Sequence, residues 1–269
     1  MQKTDKTPLI SILMNCFNGE TYLKEALNSI ISQSYSNWEL IFWDNQSTDN
    51  SRKIFENFKD SRFRYFYAEQ HTSLYEARNL ACKKSKGEFL AFLDSDDWWY
   101  EDFLSSRESF FNDKNYKFSF SNFHYYFEKS DKFKVLSNKE LPSGKIYSSL
   151  SKNYLVAISS LIVEKELLEK FNFFNPDFNI IGDFDAVMKL SKMEECFTIQ
   201  KPLLSIRIHG KNFSDQHRKM YFKEFKNWYF KQKRDELFIN NRFYFVIKLL
   251  RLYIIALMPK FLKDLMKKK

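Results

Sequence analysis

A chain of 269 residues with 44% apolar residues and 30 Phe can build one large α/β domain, alone or with an appendage. Its five Gly argue against repeat, collagen-like or disordered architectures, and its three scattered Cys match neither a zinc spacing nor a disulfide framework, which favours a cytoplasmic protein with reduced thiols. Residues 217–269 hold 15 Lys and Arg against 4 Asp and Glu, a net charge of +11, whereas residues 1–216 hold 28 against 30, a net charge of −2. A nucleic-acid-binding protein usually carries its basic patch on the folded domain, so this distribution argues for an interaction tail and against nucleic-acid binding.

The first hundred residues alternate between short apolar runs and segments with helical spacing. The apolar runs predict strands at 9–14, 38–43, 63–67 and 88–93. The helical spacing predicts helices at 20–31, 49–58 and 73–84. This alternation is typical of an α/β fold whose mostly parallel, Rossmann-like sheet is flanked by helices and binds ligands at the carboxyl ends of its strands.

Residues 101–216 follow a different pattern, but no Gly/Pro-rich linker precedes them, so we expect one shared core. The Phe- and Tyr-rich segment 116–136 predicts a pair of strands. The later predicted elements are a strand at 159–163, helices at 164–171 and 183–193, and a strand at 197–208.

The basic tail is also strongly apolar. Residues 243–258 are interrupted only by Lys248 and Arg251, which lie three apart and so share one face of a helix. A membrane-spanning helix needs about 20 apolar residues. The tail therefore predicts a helical extension that lies in the membrane interface and is attracted by anionic lipid; the alternative is a helix packed on the protein's own core, with solvated lysines.

Three polar clusters follow predicted strands, at 15–18, 44–49 and 94–97. In the last cluster Asp94, Asp96 and Asp97 crowd three carboxylates within four positions, where each raises the pKa of the others unless a cation neutralises them. Oxygen ligands of this kind suit Mg²⁺ or Mn²⁺. The alternative is an acidic turn that caps the following helix.

Other charged residues complete a possible diphosphate site. Neither G-x-G-x-x-G nor a Walker motif is present, so Arg78, in the middle of a helix, and a metal would balance diphosphate charge. Asp183 opens a helix and could be a general base, although such an Asp is more often a cap. His209 ends a strand and could bind metal or diphosphate, although a lone His there is more often structural.

Six segments, taken in order, resemble family 2 glycosyltransferases of the GT-A fold. They are 10–18, 44–51, 77–79, 92–97, 182–185 and 207–209, and together they extend over about residues 8–215. The resemblance implies a metal-dependent transferase that uses a nucleotide-diphosphate sugar, with UDP as the favoured nucleotide, and that inverts the anomeric configuration. It also implies a GT-A domain over 1–216, with a nucleotide-sugar-binding half (1–100) and an acceptor and catalytic half (101–216), followed by the tail at 217–269.

The resemblance assigns roles residue by residue. The implied nucleotide-sugar-binding residues are Asn15, Phe17, Asn18, Asp44, Arg78, Asp94 and Ser95. Of these, Phe17 and Asp44 match the positions that recognise the nucleobase. The implied metal-binding residues are Asp96, Asp97 and His209. Asp183 matches the catalytic base, and Asp185 is its rival. Segment 116–136 is the candidate acceptor contact, with core packing or a lid as the alternative.

The sequence departs from the family pattern at three positions: Asn15 stands where Pro is usual, Gln46 where Gly is frequent, and Gly182 where a second acid is common. The expected partners are a glycan or lipid-linked acceptor in bacterial surface-polysaccharide assembly, an anionic membrane at the inner face of the cell membrane, and a second subunit bound through the tail. One alternative function is a nucleotidyltransferase, which would need a basic Gly-rich loop that 15–19 lacks. The other is a non-enzymatic membrane adaptor.

Overall fold

The computed structural model describes residues 7–232, 235–236, 239 and 242–257. The strands are Ile10–Cys16 (β1), Trp38–Asp44 (β2), Phe63–Tyr67 (β3), Phe89–Phe92 (β4), Trp98–Trp99 (β5), Phe118–Phe127 (β6), Lys132–Val135 (β7), Ile162–Glu164 (β8) and Cys196–Ile208 (β9). The described α-helices are Leu23–Ile31 (α1), Ser51–Glu56 (α2), Leu74–Lys84 (α3), Glu108–Asn112 (α4), Tyr147–Lys152 (α5), Lys165–Glu169 (α6), Gly182–Met193 (α7), Phe213–Gln216 (α8), Arg218–Gln232 (α9) and Arg242–Leu257 (α10).

The strands form one sheet in the order β3-β2-β1-β4-β8-β6-β9-β5, with β7 paired to β6. Strands β3, β2, β1 and β4 are parallel, and β8 runs antiparallel to both β4 and β6. Strand β6 therefore points the same way as β4, and β9 is parallel to β6. The carboxyl ends of β1, β2, β4, β6 and β9 consequently meet at one edge, which confirms the predicted α/β fold with a mostly parallel sheet.

Apolar residues cover both faces of this sheet. Every residue of β2 is buried, as expected for a central parallel strand covered on both sides. On α1 the spacing of Leu23, Ala26, Leu27 and Ile30 places these buried residues on the face toward the sheet. The edge strand β3 is only half-buried. The chain therefore builds two core layers around a sheet whose polar residues are left at its carboxyl edge.

The predicted elements of residues 101–216 are present with small differences. Segment 116–136 forms the antiparallel pair β6 and β7, as predicted. The strand predicted at 159–163 begins as a 3₁₀ turn at Ile158–Ser160, and only Ile162–Glu164 pairs in the sheet. That turn has a function of its own, because it carries Ser159 to the edge of the sheet.

The predicted tail begins as part of the core, and the core is continuous across residues 216 and 217. On α9, Phe225, Trp228 and Tyr229 are buried in the same cluster as the residues of α7. The Glu224 carboxylate accepts hydrogen bonds from the backbone N–H groups of Asn179, Ile180 and Ile181 at 2.9, 3.0 and 3.2 Å. The helix α9 thus anchors the segment that leads into α7.

Lys248 and Arg251, which were predicted to share one face of α10, differ in exposure. Lys248 is half-buried, with its Nζ 4.9 Å from the ring centre of Phe225, whereas Arg251 is exposed. The outer face of this helix is apolar: its exposed large side chains include Phe243, Val246, Ile247, Leu250, Ile254 and Leu257.

Within the described residues, none of the helices combines the length and apolarity needed to cross a bilayer. Residues 1–6 and 258–269 of the predicted domain and tail lie outside the described residues.

We expect Glu224→Ala to lower the free energy of unfolding by about 3 kcal/mol, because three N–H groups lose a charged acceptor and that of buried Ile181 has no access to water. Urea denaturation measures this change. Glu140→Ala, at an exposed loop position, is the matched control and should change stability by less than about 0.5 kcal/mol. Equal stability of both variants would contradict the anchoring role of α9.

Candidate active site

A cleft of about 1640 Å³ opens at the carboxyl edge of the sheet. The predicted site residues that line it are Asn15, Phe17, Asn18, Arg78, Asp94, Ser95, Asp96, Asp97, Asp183 and His209. They come from β1, α3, the turn after β4, α7 and the end of β9, so residues from both halves of the chain meet here. Two predicted residues are absent from the lining: Asp44 and Asp185, the rival base.

The turn after β4 concentrates negative charge. Carboxylate oxygens of Asp94, Asp96 and Asp97 all lie within 4.8 Å of one another. Burial raises the pKa of Asp97 well above its usual range, and the neighbouring Asp96 and Asp94 charges raise it further. Burial also raises the pKa of Asp94, against the opposing effect of Arg78, whose Nη2 lies 2.5 Å from Asp94 Oδ1. The cluster therefore favours a bound cation.

The acids of this turn differ in how many of their oxygens are already bonded. Asp97 Oδ1 accepts the backbone N–H of Arg207 at 3.0 Å, and Asp97 Oδ2 accepts the Ser159 hydroxyl at 2.7 Å. Asp96 Oδ2 lies 3.0 Å from His209 Nε2, and no described residue bonds its Oδ1. Asp96 and His209 are thus better placed than Asp97 to reach a cation, and Asp97 supports the turn from behind.

Arg207 holds this arrangement together, although sequence reasoning gave it no role. Its guanidinium lies 4.7 Å from the ring centre of Trp98 and 4.5 Å from that of Tyr22, and its Nε donates to the backbone oxygen of Asp96 at 3.1 Å. It also forms an ion pair with Glu25 of α1. Its position two residues before His209 was the available signal, because Tyr22, Glu25 and Asp96 are each more than 100 residues away in the chain.

Asp183 lies at the start of α7 and faces the same cleft. The Tyr75 hydroxyl lies 2.9 Å from Asp183 Oδ1, which also accepts the backbone N–H of Phe184 at 2.8 Å. No described residue bonds Asp183 Oδ2. Burial raises the pKa of Asp183, and the charge of Arg78 partly opposes this effect. A carboxylate with one free oxygen and a raised pKa can act as a general base.

Gly182 explains one departure from the family pattern. A Cβ atom at this position would lie 2.6 Å from the ring of Tyr75, so any side chain would displace the tyrosine. Tyr75 is fully buried and lies on α3 three residues before Arg78, so the two share one face of the helix. Here the second acid is replaced by a tyrosine hydroxyl bonded to Asp183.

Asp185 points away from the cleft. Its Oδ1 accepts the indole N–H of Trp228 at 2.9 Å, and its Oδ2 pairs with Lys189 Nζ at 2.7 Å. Asp185 is buried and is not part of the cleft lining. The geometry therefore favours Asp183 over Asp185 as the base.

The nucleotide end of the cleft lies beside β1 and β2. Phe17 is exposed, and its ring centre lies 4.4 Å from that of His71. This pair leaves an aromatic surface on which a nucleobase could stack. Asp44 lies behind this surface, fully buried, and accepts the Tyr65 hydroxyl at 2.6 Å and the backbone N–H of Ser47 at 2.7 Å. A contact between Asp44 and a nucleobase stays a prediction, and it requires one of these two hydrogen bonds to open or to be shared.

Two family departures at this end have local consequences. Gln46 has a φ of 70°, a conformation that Gly adopts without strain and that Gln adopts here with its side-chain amide bonded to the Glu69 carbonyl oxygen at 2.9 Å. Asn15 lines the cleft, and its Nδ2 has no hydrogen-bond partner among the described residues. That amide therefore has the capacity to bond a ligand or water.

The aromatic strand β6 serves two purposes along its length. Phe118, Phe120 and Phe123 are buried in the core. Tyr125 and Phe127, nearer its carboxyl end, line the cleft together with Phe123. The first half of the strand therefore packs in the core, which was the alternative to an acceptor contact. For the second half, contact with the acceptor stays a prediction.

Comparisons with known proteins agree with this geometry. The family model "Glycosyl transferase family 2" matches residues 11–172, which include the Asp94-Ser95-Asp96 motif but end before Asp183 and His209. The chain is 32% identical over 165 residues to the UDP-Glc:alpha-D-GlcNAc-diphosphoundecaprenol beta-1,3-glucosyltransferase WfgD of Escherichia coli. That match covers 61% of this chain and 64% of the relative, so the chain spans less than two thirds of its length.

Two solved structures share the fold. The mannosyltransferase PcManGT from Pyrobaculum calidifontis, in complex with GDP-Man and Mn²⁺, superposes with a TM-score of 0.67 at 18% identity, over 93% of this chain and 73% of that one. TarS 1–349 of S. aureus, in complex with UDP-GlcNAc, superposes with a TM-score of 0.60 at 18% identity, over 79% and 64%. These likenesses confirm the predicted GT-A type of α/β fold.

Proposed function

The chain belongs to glycosyltransferase family 2, and we propose that it transfers one sugar, with inversion, from a UDP-linked donor to a hydroxyl group of a glycan or lipid-linked acceptor. The observation that carries the proposal is the meeting of Arg78, the acidic turn after β4 and Asp183 in one cleft. Membership of a glycosyltransferase family favours this reaction over both nucleotidyl transfer and a non-enzymatic adaptor.

A divalent ion, Mn²⁺ or Mg²⁺, fits the acidic turn. Three carboxylates crowd together, and among the described residues Arg78 is the one guanidinium that bonds their oxygens, so negative charge remains in excess. Asp96 and His209 would hold the ion, with Asp97 behind them. When bound, such an ion offsets the negative charge that develops on the leaving diphosphate. The relative PcManGT, which was solved with Mn²⁺, supports this choice of cofactor.

The chain's own residues supply the rest of the proposed reaction. Phe17 provides a surface for the nucleobase. Arg78 is bonded to Asp94, and its charge opposes the rise in pKa that burial causes in both Asp94 and Asp183. Asp183 Oδ2 takes the proton from the acceptor hydroxyl, whose oxygen attacks the anomeric carbon on the side opposite the leaving diphosphate. Tyr75 holds the other oxygen and fixes the direction of the carboxylate.

The proposed setting is bacterial surface-polysaccharide assembly at the cytoplasmic face of the membrane. WfgD, by its name, uses a diphosphoundecaprenol-linked acceptor, which resides in a lipid bilayer. The outer face of α10, defined by Phe243, Val246, Ile247, Leu250, Ile254 and Leu257, is exposed and apolar. Residues 217–269 carry the basic excess that anionic lipid attracts. A lipid surface therefore fits this face better than a second, equally basic copy of the chain, which is the homo-oligomer alternative.

We expect Asp96→Asn to abolish the rise in melting temperature that Mn²⁺ and UDP together give the wild-type protein, because the turn loses a charged ligand next to His209. Thermal shift measures this without any need for an acceptor. Asp177→Asn, an exposed aspartate outside the cleft, is the matched control and should respond as the wild type does. A full response in the Asp96 variant would place the metal elsewhere.

We expect Asp183→Asn to lower the rate of transfer by about 10²- to 10⁴-fold and to leave the affinity for UDP unchanged, because the variant lacks only the base. Since Asp183 must be ionised to act and burial raises its pKa, the acidic limb of the kcat/KM profile should lie above the usual Asp pKa of about 3.9, with activity rising as pH rises. Asp185→Asn is the paired variant; if it loses transfer and the Asp183 variant does not, the base is Asp185.

We expect Ile254→Glu to weaken binding to phosphatidylglycerol vesicles by about tenfold, because a half-exposed aliphatic side chain contributes on the order of 1.4 kcal/mol when lipid covers it. Vesicle co-sedimentation measures this. Met193→Glu is the control, since Met193 is 52% exposed and Ile254 is 56% exposed. A loss of dimer in sedimentation velocity, with vesicle binding unchanged, would assign the face to a second subunit.

A further inference from the structure

Lys248 is the one described residue of α10 that lines the cleft. Its Nζ lies 4.9 Å from the ring centre of Phe225 and 5.7 Å from that of Phe184. Phe184 directly follows Asp183, so the lysine reaches the cleft at the side of the proposed base. Lys248 thus places a positive charge in the part of the cleft where the acceptor would lie.

This charge has no acidic partner among the described residues. By contrast, Arg78 in the same cleft is bonded to Asp94. Burial lowers the pKa of Lys248 to about 8, which shows that the surroundings do not offset the loss of water around the ammonium group. Contact with the aromatic faces of Phe225 and Phe184 offsets part of this loss. A half-buried cation with no acidic partner among the described residues can bond an anion that a ligand supplies.

The two sides of α10 are matched to the two ends of a lipid-linked acceptor. The outer face is apolar, whereas Lys248 points inward, and the side chains of one helix lie about 10–12 Å apart across its diameter. In an acceptor whose sugar is joined to lipid through phosphate, the phosphate lies between the lipid and the sugar. With the lipid at the outer face and the sugar hydroxyl at Asp183, the phosphate would lie near Lys248.

We propose that Lys248 binds a phosphate group of a lipid-linked acceptor and so selects phosphate-containing acceptors over neutral glycans. This rests on the proposed function, and it adds a specificity-determining residue from α10. Lys248 acts on binding only, since it is not placed at the reacting atoms. The ammonium group forms charge-assisted hydrogen bonds with phosphate oxygens, which are stronger than those it could form with neutral hydroxyl groups.

The test compares the full-length wild type with Lys248→Met, Lys248→Arg and the exposed control Lys170→Met. Calorimetry in EDTA, which removes metal from the acidic turn, measures the affinity of each for decyl diphosphate, inorganic pyrophosphate and neutral decyl glucoside. We expect Lys248→Met to weaken decyl diphosphate binding by about tenfold, or about 1.4 kcal/mol, and to leave decyl glucoside binding unchanged. Lys248→Arg should keep most of the affinity, and Lys170→Met all of it.

Three results would overturn the proposal. Unchanged binding of decyl diphosphate to Lys248→Met would remove the role of the lysine, and equal losses for both decyl ligands would assign it to packing alone. Pyrophosphate that binds as tightly as decyl diphosphate would point to a soluble anion. Melting curves check folding, since loss of an uncompensated buried charge should not lower the melting temperature. Hydrolysis of UDP-Glc with Mn²⁺ tests the proposed function separately, because it needs no acceptor.

Discussion

The crowding of three carboxylates on the turn after β4 is the constraint on which the site depends. The repulsion is contained by groups from distant parts of the chain: Arg78 on α3, Ser159 on the 3₁₀ turn before β8, and the backbone of Arg207 on β9. Ser159 and Arg207 reach the turn because β8 pairs with β4, and because β6 and β9 run in the same direction as β4 and end at the same edge. The second half of the chain is thus required to hold an acidic motif that belongs to the first half.

The cleft contains two kinds of acid, and their surroundings suit different tasks. Burial is the main cause of the raised pKa of Asp97, Asp94 and Asp183 alike. The acids of the turn also raise one another's pKa, which favours a cation, whereas the strongest charge effect on Asp183 is that of Arg78, which lowers its pKa. Tyr75 separates these tasks, because it bonds one oxygen of Asp183 and packs beside the Arg78 guanidinium at 5.3 Å. The close approach of its ring requires Gly182. The missing second acid and the buried tyrosine are therefore one structural feature.

Much of the fold could be predicted from the sequence, since strand periodicity and parallel topology together determine which edge carries the polar clusters. The strand at Phe63–Tyr67 has the predicted bounds. What escaped prediction depends on contacts between distant residues: Arg207 meets Glu25 across 182 positions, and Tyr75 meets Asp183 across 108. Periodicity also did not predict the different exposure of Lys248 and Arg251. Positions three apart differ by about 60° around a helix and can fall on opposite sides of its packing boundary.

The basic tail shows why charge composition alone misjudges a segment. Its lysines suggest a separate appendage, yet α9 contributes Glu224 and Trp228, which bond the entrance to α7 and the side chain of Asp185. The helix that carries the proposed base is therefore held by the segment that continues toward the apolar outer face of α10. A contact made at that face acts on a helix packed against Phe184, next to Asp183. The proposed acceptor-binding face and the proposed base consequently share one structural support, which a separate, flexibly linked anchor would not provide.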